Sequence, residues 1–135
     1  VITPFDGPHT ELAWMFLQSM SEGGDLDEGF TLLSDDFTYW SLYTRVSFDK
    51  ASLRQSIDWR KRTLELTVDL RSCFTEGDTV VIEADASGTT TDGVEYDSPF
   101  VCIFETRDGL IVSMREYSDT REQERALSRS PSGGY

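Results

Sequence analysis

A glutamate at the end of an apolar row is where this sequence offers chemistry. Residues 110–119 read Leu-Ile-Val-Ser-Met-Arg-Glu-Tyr-Ser-Asp. As a strand they alternate faces, so Leu110, Val112, Met114 and Glu116 share one face while Ile111, Ser113, Arg115 and Tyr117 share the other. An ionised carboxylate is costly to bury, so Glu116 is paired, protonated, or lining a cavity that holds something; the plainer alternative is a charged strand end that reaches solvent. Among Met114, Phe100 and Val112, desolvation would raise its pKa, the condition that lets a Glu both give and take a proton near neutral pH. Arg115 points to the opposite face and does not neutralise it directly.

The other polar groups offer less. Tyr39 can give a phenolic hydrogen bond to a developing oxyanion or a leaving oxygen, or it packs in the core with its hydroxyl tied to backbone. Trp14, Trp40 and Trp59 either line a pocket or build the core. Tyr96 and Ser98 are further candidates on an inward strand face. His9, the only histidine, lies before the first helix, where capping or exposure competes with a role as base or ligand. Asp97 and Asp119 fall opposite Glu116 and suit turns, a dimer surface or a helix cap. No His, Cys or acidic grouping has metal-site spacing, no base stands beside Ser41 or Ser98, and cofactor motifs are absent, so the expected chemistry uses neither metal nor cofactor.

Composition narrows the partners. The chain has 135 residues, 25 acidic against 12 basic, for a net charge of −13. That length suits one domain with a real core and one internal pocket. A field of that sign repels phosphate backbones and anionic lipid, so nucleic acid and membrane are not expected partners. Cys73 and Cys102, the two cysteines, fall on differently exposed faces of different strands and form no disulfide framework. No transmembrane run or signal peptide opens a chain that begins at Val1, so the expected setting is cytoplasmic.

Periodicity places the elements. After an irregular lead-in over residues 1–8, a helix is predicted from His9 or Thr10 to Ser21, with Thr10 as N-cap and Leu12, Met15, Phe16, Ser19 and Met20 at helical spacing. Asp25 caps a second helix with Leu26, Phe30 and Leu33 inward, closed by Ser34-Asp35-Asp36. Residues 37–43 read as a strand with Phe37, Tyr39 and Ser41 on one face. A third helix runs from a cap at Ser47 or Asp49 to about Arg62, with Leu53, Ile57 and Trp59 inward and Arg60, Lys61 and Arg62 complementing its dipole.

Four strand patterns follow. Residues 64–75 put Leu64, Leu66, Val68, Leu70 and Phe74 inward. The next strand turns Val80, Ile82, Ala84 and Ala86 inward, and residues 96–105 are apolar on both faces, as a central strand covered on both sides would be. The strand of Glu116 comes last, before a short helix from Thr120 to about Arg129 and a loose tail over residues 130–135. Turns at Glu76-Gly77-Asp78, Thr91-Asp92-Gly93 and Arg107-Asp108-Gly109 join these strands into an antiparallel meander. The expected architecture is α+β, a single domain over residues 9–129 with helices covering one face of a curved sheet.

This order of elements, with Gly24-Asp25, Ser34-Asp35-Asp36-Phe37-Thr38, Arg107-Asp108-Gly109-Leu110-Ile111 and Arg115-Glu116-Tyr117-Ser118-Asp119, resembles the SnoaL-like and limonene-epoxide-hydrolase-like branch of the NTF2-like superfamily. The resemblance spans about residues 10–127. It implies a cone-shaped antiparallel sheet around an apolar pocket, homodimerisation through the sheet, and a catalytic carboxylate at Glu116. It also implies a water-orienting role for Tyr39, a substrate contact at Ser41, and a wall of Leu17, Ala84, Ala86, Ser98, Phe100 and Met114.

Departures from the family are equally specific. Where the hydrolases carry an Arg and a second Asp, this chain has Ala84 and Ala86. Where steroid isomerases carry a Tyr and two Asp, it has Leu17, Ser41 and Phe100. The function so implied is a cofactor-free isomerase or cyclase acting on a small apolar ring compound such as a polyketide, terpenoid or epoxide-like secondary metabolite, with Glu116 moving a proton and Tyr39 and Ser41 holding the reacting oxygen. The alternatives are a non-catalytic small-molecule-binding or structural dimer, and an epoxide hydrolase with a rearranged acid set.

Overall fold

The structure is a computed structural model and describes residues 7–127. The tail at residues 130–135, and the lead-in apart from Gly7 and Pro8, lie outside the described residues. In chain order the elements are α1 (Pro8–Ser19), α2 (Leu26–Phe30), β1 (Leu33–Ser41), β2 (Ser47–Asp49), α3 (Lys50–Thr63), β3 (Thr67–Glu76), β4 (Thr79–Thr89), β5 (Glu95–Arg107), β6 (Leu110–Ser118) and α4 (Thr120–Leu127). The strands form one curved, six-stranded open sheet in the order β2-β1-β6-β5-β4-β3. Strands β3 to β6 are the expected meander, but β1 joins β6 in parallel, so the sheet is mixed. None of the described helices is long and apolar enough to cross a membrane.

Helix starts follow local chemistry. Pro8 occupies the first turn of α1, where its missing N–H costs nothing. Gly7 takes the cap position that Thr10 was expected to fill, and the Thr10 hydroxyl instead donates back to the Gly7 carbonyl at 2.9 Å. The apolar stripe is Ala13, Phe16, Leu17 and Met20, while Met15 is exposed and Leu12 half-buried. In α2 the Asp25 carboxylate accepts from the Asp27 and Glu28 amides, and in α3 Asp49 accepts from Ser52. The second helix is shorter than expected, because Leu33 already pairs with Ile111 and Ser34-Asp35-Asp36 belongs to β1.

Two register shifts decide which side chains face the core. Between Leu70 and Ser72 the pairing of β3 with β4 skips Arg71, so strict alternation ends there and Phe74, expected inside, is 61% exposed. Between β5 and β6 the pairing skips Val112. Ile111 therefore turns inward with Met114 and Glu116, while Leu110, expected inside, lies at the surface. On β4 and β5 the alternation holds: Val80, Ile82, Ala84 and Ala86 face in, as do Tyr96, Ser98, Phe100, Cys102 and Phe104.

The core lies between this face and helices α1 and α3, with Phe16 at its centre against Phe30 and Phe37. Gly88 is fixed by close approach to backbone. A Cβ on Gly88 of β4 would overlap the Glu65 carbonyl, which belongs to backbone and cannot rotate away. Gly88→Ala is expected to cost about 1–3 kcal/mol through forced backbone displacement, read as a lower urea midpoint at unchanged slope.

Candidate active site

Glu116 sits where three strands meet. It pairs with Ser41 of β1 on one side and with Cys102 of β5 on the other, so its backbone is fixed by two neighbours. Its carbonyl also accepts from the Leu42 amide at 2.9 Å. The side chain is 4% exposed and accepts a hydrogen bond from the Tyr39 hydroxyl, Oη to Oε1 3.0 Å. Tyr39 is itself 2% exposed, and its ring packs near Phe48. A buried phenol thus orients a buried carboxylate.

The carboxylate borders a small cavity of about 30 Å³, room for a water or two. One side is lined by Leu17 of α1 and Met20 just after it, Arg60 of α3, Leu66 just before β3 and Val68 within it. The far wall is Ala86 of β4, Tyr96 and Phe100 of β5, and Glu116 with Ser118 of β6. The Ser118 hydroxyl donates to Gln123 at 2.6 Å, which ties the C-terminal helix α4 to this end of the sheet. Asp119 caps α4 by accepting from the Arg121 and Glu122 amides.

Leu17, Ala86, Phe100 and Glu116 therefore meet at one cavity, and Tyr39 reaches it through its hydrogen bond. Ala84, Ser98 and Met114 are buried close by but do not line it. Ser98 donates to the Pro99 carbonyl and accepts from the Asp119 amide. Ser41 is buried too, yet its hydroxyl is shared with the side chain and amide of Thr44 and serves the turn after β1.

Trp14 and Trp59 are not at the cavity. Trp14 faces a groove beside Met15, Gln18 and Leu32, and Trp59 faces another with Phe48 and Gln55, because the inward stripes of their helices run through neighbouring positions. His9 contacts the Thr106 hydroxyl at 2.9 Å, and it too lies outside the cavity wall.

Arg60 is the residue the sequence reading misplaced. Expected among the cations that complement the dipole of α3, it is 2% exposed and lines the cavity. Nη2 donates to the Met20 carbonyl at 2.8 Å and Nη1 to the Leu64 carbonyl at 3.1 Å. The signal was in the spacing: Leu53 and Ile57 project next onto position 60, not 59.

These charges reach their neighbours. Burial, with the Glu116 charge adding to it against the opposing Ser98 hydroxyl and Arg60, raises the Tyr96 pKa, so its phenol stays protonated. Burial first and Glu116 second raise the Cys102 thiol well above its usual range, so it is an inert core residue. Among the described residues no three His, Cys, Asp or Glu side chains gather closely enough to hold a metal ion.

Known proteins share this fold. The SnoaL-like domain family matches residues 15–114. A Jannaschia sp. CCS1 protein assigned as a SnoaL-like polyketide cyclase superposes with TM-score 0.79 at 18% identity, over 97% of this chain and 99% of that one. An LEH-like epoxide hydrolase of M. tuberculosis gives 0.75 at 18% identity over 90% of each chain. A Catenulispora acidiphila protein with a ketosteroid isomerase-like fold, bound to trimethylamine, gives 0.74 at 19% identity over 89% of this chain and 92% of that one. No curated protein sequence matches. At these identities the structures speak to the fold alone, which is NTF2-like, and the family match spans most of the chain: it belongs to the SnoaL-like domain family.

Proposed function

We propose that the protein is a cofactor-free acid/base enzyme of the isomerase or cyclase kind, acting on a small, largely apolar ring compound, with Glu116 as the group that moves the proton. The observation that carries this is a single carboxylate, buried at the edge of an apolar cavity and held in one orientation by a buried phenol. In such a site the carboxylate takes a proton from carbon and returns it to another atom of the same substrate, so no second reactant is required.

Tyr39 gives its hydrogen bond to Glu116, so its role is to position the base rather than to hold the substrate oxygen. A charge-assisted bond of this kind contributes about 1.5–3 kcal/mol, so Tyr39→Phe is expected to lower kcat roughly tenfold or more with KM within about twofold. Steady-state kinetics on an accepted substrate check that split. A matched fall in affinity with unchanged kcat would mean Tyr39 binds substrate after all.

The cavity is too small for a polyketide as it stands. The rival reading, a protein that binds a ligand without converting it, uses the same cavity. Incubating the protein with small cyclic ketones and epoxides in ¹⁸O-labelled water separates the readings. Rearranged product without label supports the isomerase or cyclase, labelled diol supports an epoxide hydrolase, and no conversion of any member supports a binder.

The same reading includes a homodimer joined through the outer face of the sheet. There the tilted rings of Trp40 and Tyr117 lie with centroids 5.5 Å apart, and Val101 and Ile103 are half-buried. Sedimentation equilibrium should return about two chain masses, and a monomer at micromolar concentration would remove this part.

A further inference from the structure

The cavity that borders Glu116 also holds a fixed positive charge, and the mechanism above does not use it. Arg60 reaches the wall from the last turn of α3, on a different element from the base. Both terminal nitrogens are anchored on backbone carbonyls, Met20 at the end of α1 and Leu64 after α3, so the plane of the guanidinium is set before any ligand arrives. An arginine cannot give up its proton at any working pH, so it serves as a donor and a charge, never as the acid. Inside an apolar cavity that charge acts on anything placed there far more strongly than it would in water.

An acid/base enzyme needs such a group. When a carboxylate takes a proton from carbon next to a carbonyl, the C–H electron pair becomes a C=C bond and the carbonyl π pair moves onto oxygen. Negative charge leaves Glu116 and appears on the substrate oxygen. A preorganised cation beside that oxygen stabilises the enolate more than the ketone, which is how a fixed donor accelerates the step. Tyr39 is engaged by the carboxylate, and Ala84 and Ala86 carry no polar atoms, which leaves Arg60 as the charged donor in the wall. Tyr96, also in the wall and kept protonated by burial, is within electrostatic reach of both charges.

Resting on the acid/base reading above, we propose that Arg60 holds the enolate oxygen of the substrate. The proton that Glu116 removes is returned to carbon by the same carboxyl group, and the charge returns with it. An arginine that only staples α1 to α3 would carry the same two backbone hydrogen bonds but would not sense a bound enolate.

The test uses acetylacetone, a seven-heavy-atom β-diketone whose enolate has its own ultraviolet band, added to Glu116→Gln protein. Removing the cavity's own anion should favour the enolate, so the band is expected at neutral pH, and the ¹⁵N resonances of the Arg60 side chain are expected to shift on titration. In the same background Arg60→Lys, which keeps the charge, should retain binding within about tenfold, and Arg60→Met should lose at least about tenfold. No enolate bound by Glu116→Gln, Arg60 resonances unmoved at saturating probe, or undiminished binding by a folded Arg60→Met protein would each overturn the proposal. If Arg60→Met does not fold, the resonance shift decides alone. Because this is read without the Glu116 carboxylate, it fails separately from the acid/base reading: lost turnover without enolate binding sinks Arg60 only, and enolate held by Arg60 with turnover intact in Glu116→Gln sinks Glu116 only.

Discussion

Glu116→Gln is expected to lower turnover of any accepted substrate by roughly 10²–10⁴-fold, the usual contribution of a positioned general acid or base. Gln keeps the length and an oxygen able to accept from Tyr39, so the geometry of the site is retained while proton transfer is lost. Because the isosteric Gln can still accept from Tyr39, thermal stability should hold within about 1 kcal/mol of wild type. That combination separates chemistry from folding. A large fall in melting temperature would make Glu116 a structural residue, and full activity would remove it from the mechanism.

Arg60→Met should have the largest effect on stability. The side chain is among the largest fully buried ones in the protein and links the ends of two helices. Methionine fills much of the volume but leaves the Met20 and Leu64 carbonyls without their donor. At roughly 1–3 kcal/mol for each stranded acceptor, the loss is about 2–6 kcal/mol, a sizeable part of the roughly 5–15 kcal/mol typical of a domain. For a chain of this size that corresponds to a fall in Tm on the order of 10 °C, measurable by circular dichroism or calorimetry. Arg60→Lys keeps one donor and the charge and should lose about half as much. An unchanged melting temperature in Arg60→Met would show that α1 and α3 are held by apolar packing alone.

Much of the fold is legible in the sequence because period-2 alternation and turn chemistry are local. Gly77, Gly93 and Gly109 adopt the positive φ that the expected turns require, with Asp108 beside Gly109 also positive as a type I′ hairpin demands. What the alternation cannot show is where it breaks. Nothing in Arg71 or Val112 marks them as the skipped residues, since a shift is set by how two strands pair rather than by either alone. Glu116 keeps its inward face because it lies beyond the shift at Val112, on the same side as Met114. The parallel pairing of β1 with β6 is a long-range choice with no local signature.

The site was legible in the same uneven way. Its carboxylate and much of its apolar wall follow from strand parity, whereas Trp14 and Trp59 were placed by residue type and fall in other grooves. Arg60 was read by its charge instead of its position. A cation in a helical stripe is normally a surface residue, but here the Met20 and Leu64 carbonyls give it partners inside.

The most direct measurement of proton transfer by Glu116 is the exchange of the α-hydrogens of cyclopentanone in D₂O, followed by proton NMR with wild-type protein and Glu116→Gln side by side. The expected result is deuterium incorporation well above the buffer rate with wild type and a return to the buffer rate with the variant. Exchange at the buffer rate with wild type, or equal acceleration by both proteins, would contradict Glu116 as the group that moves the proton.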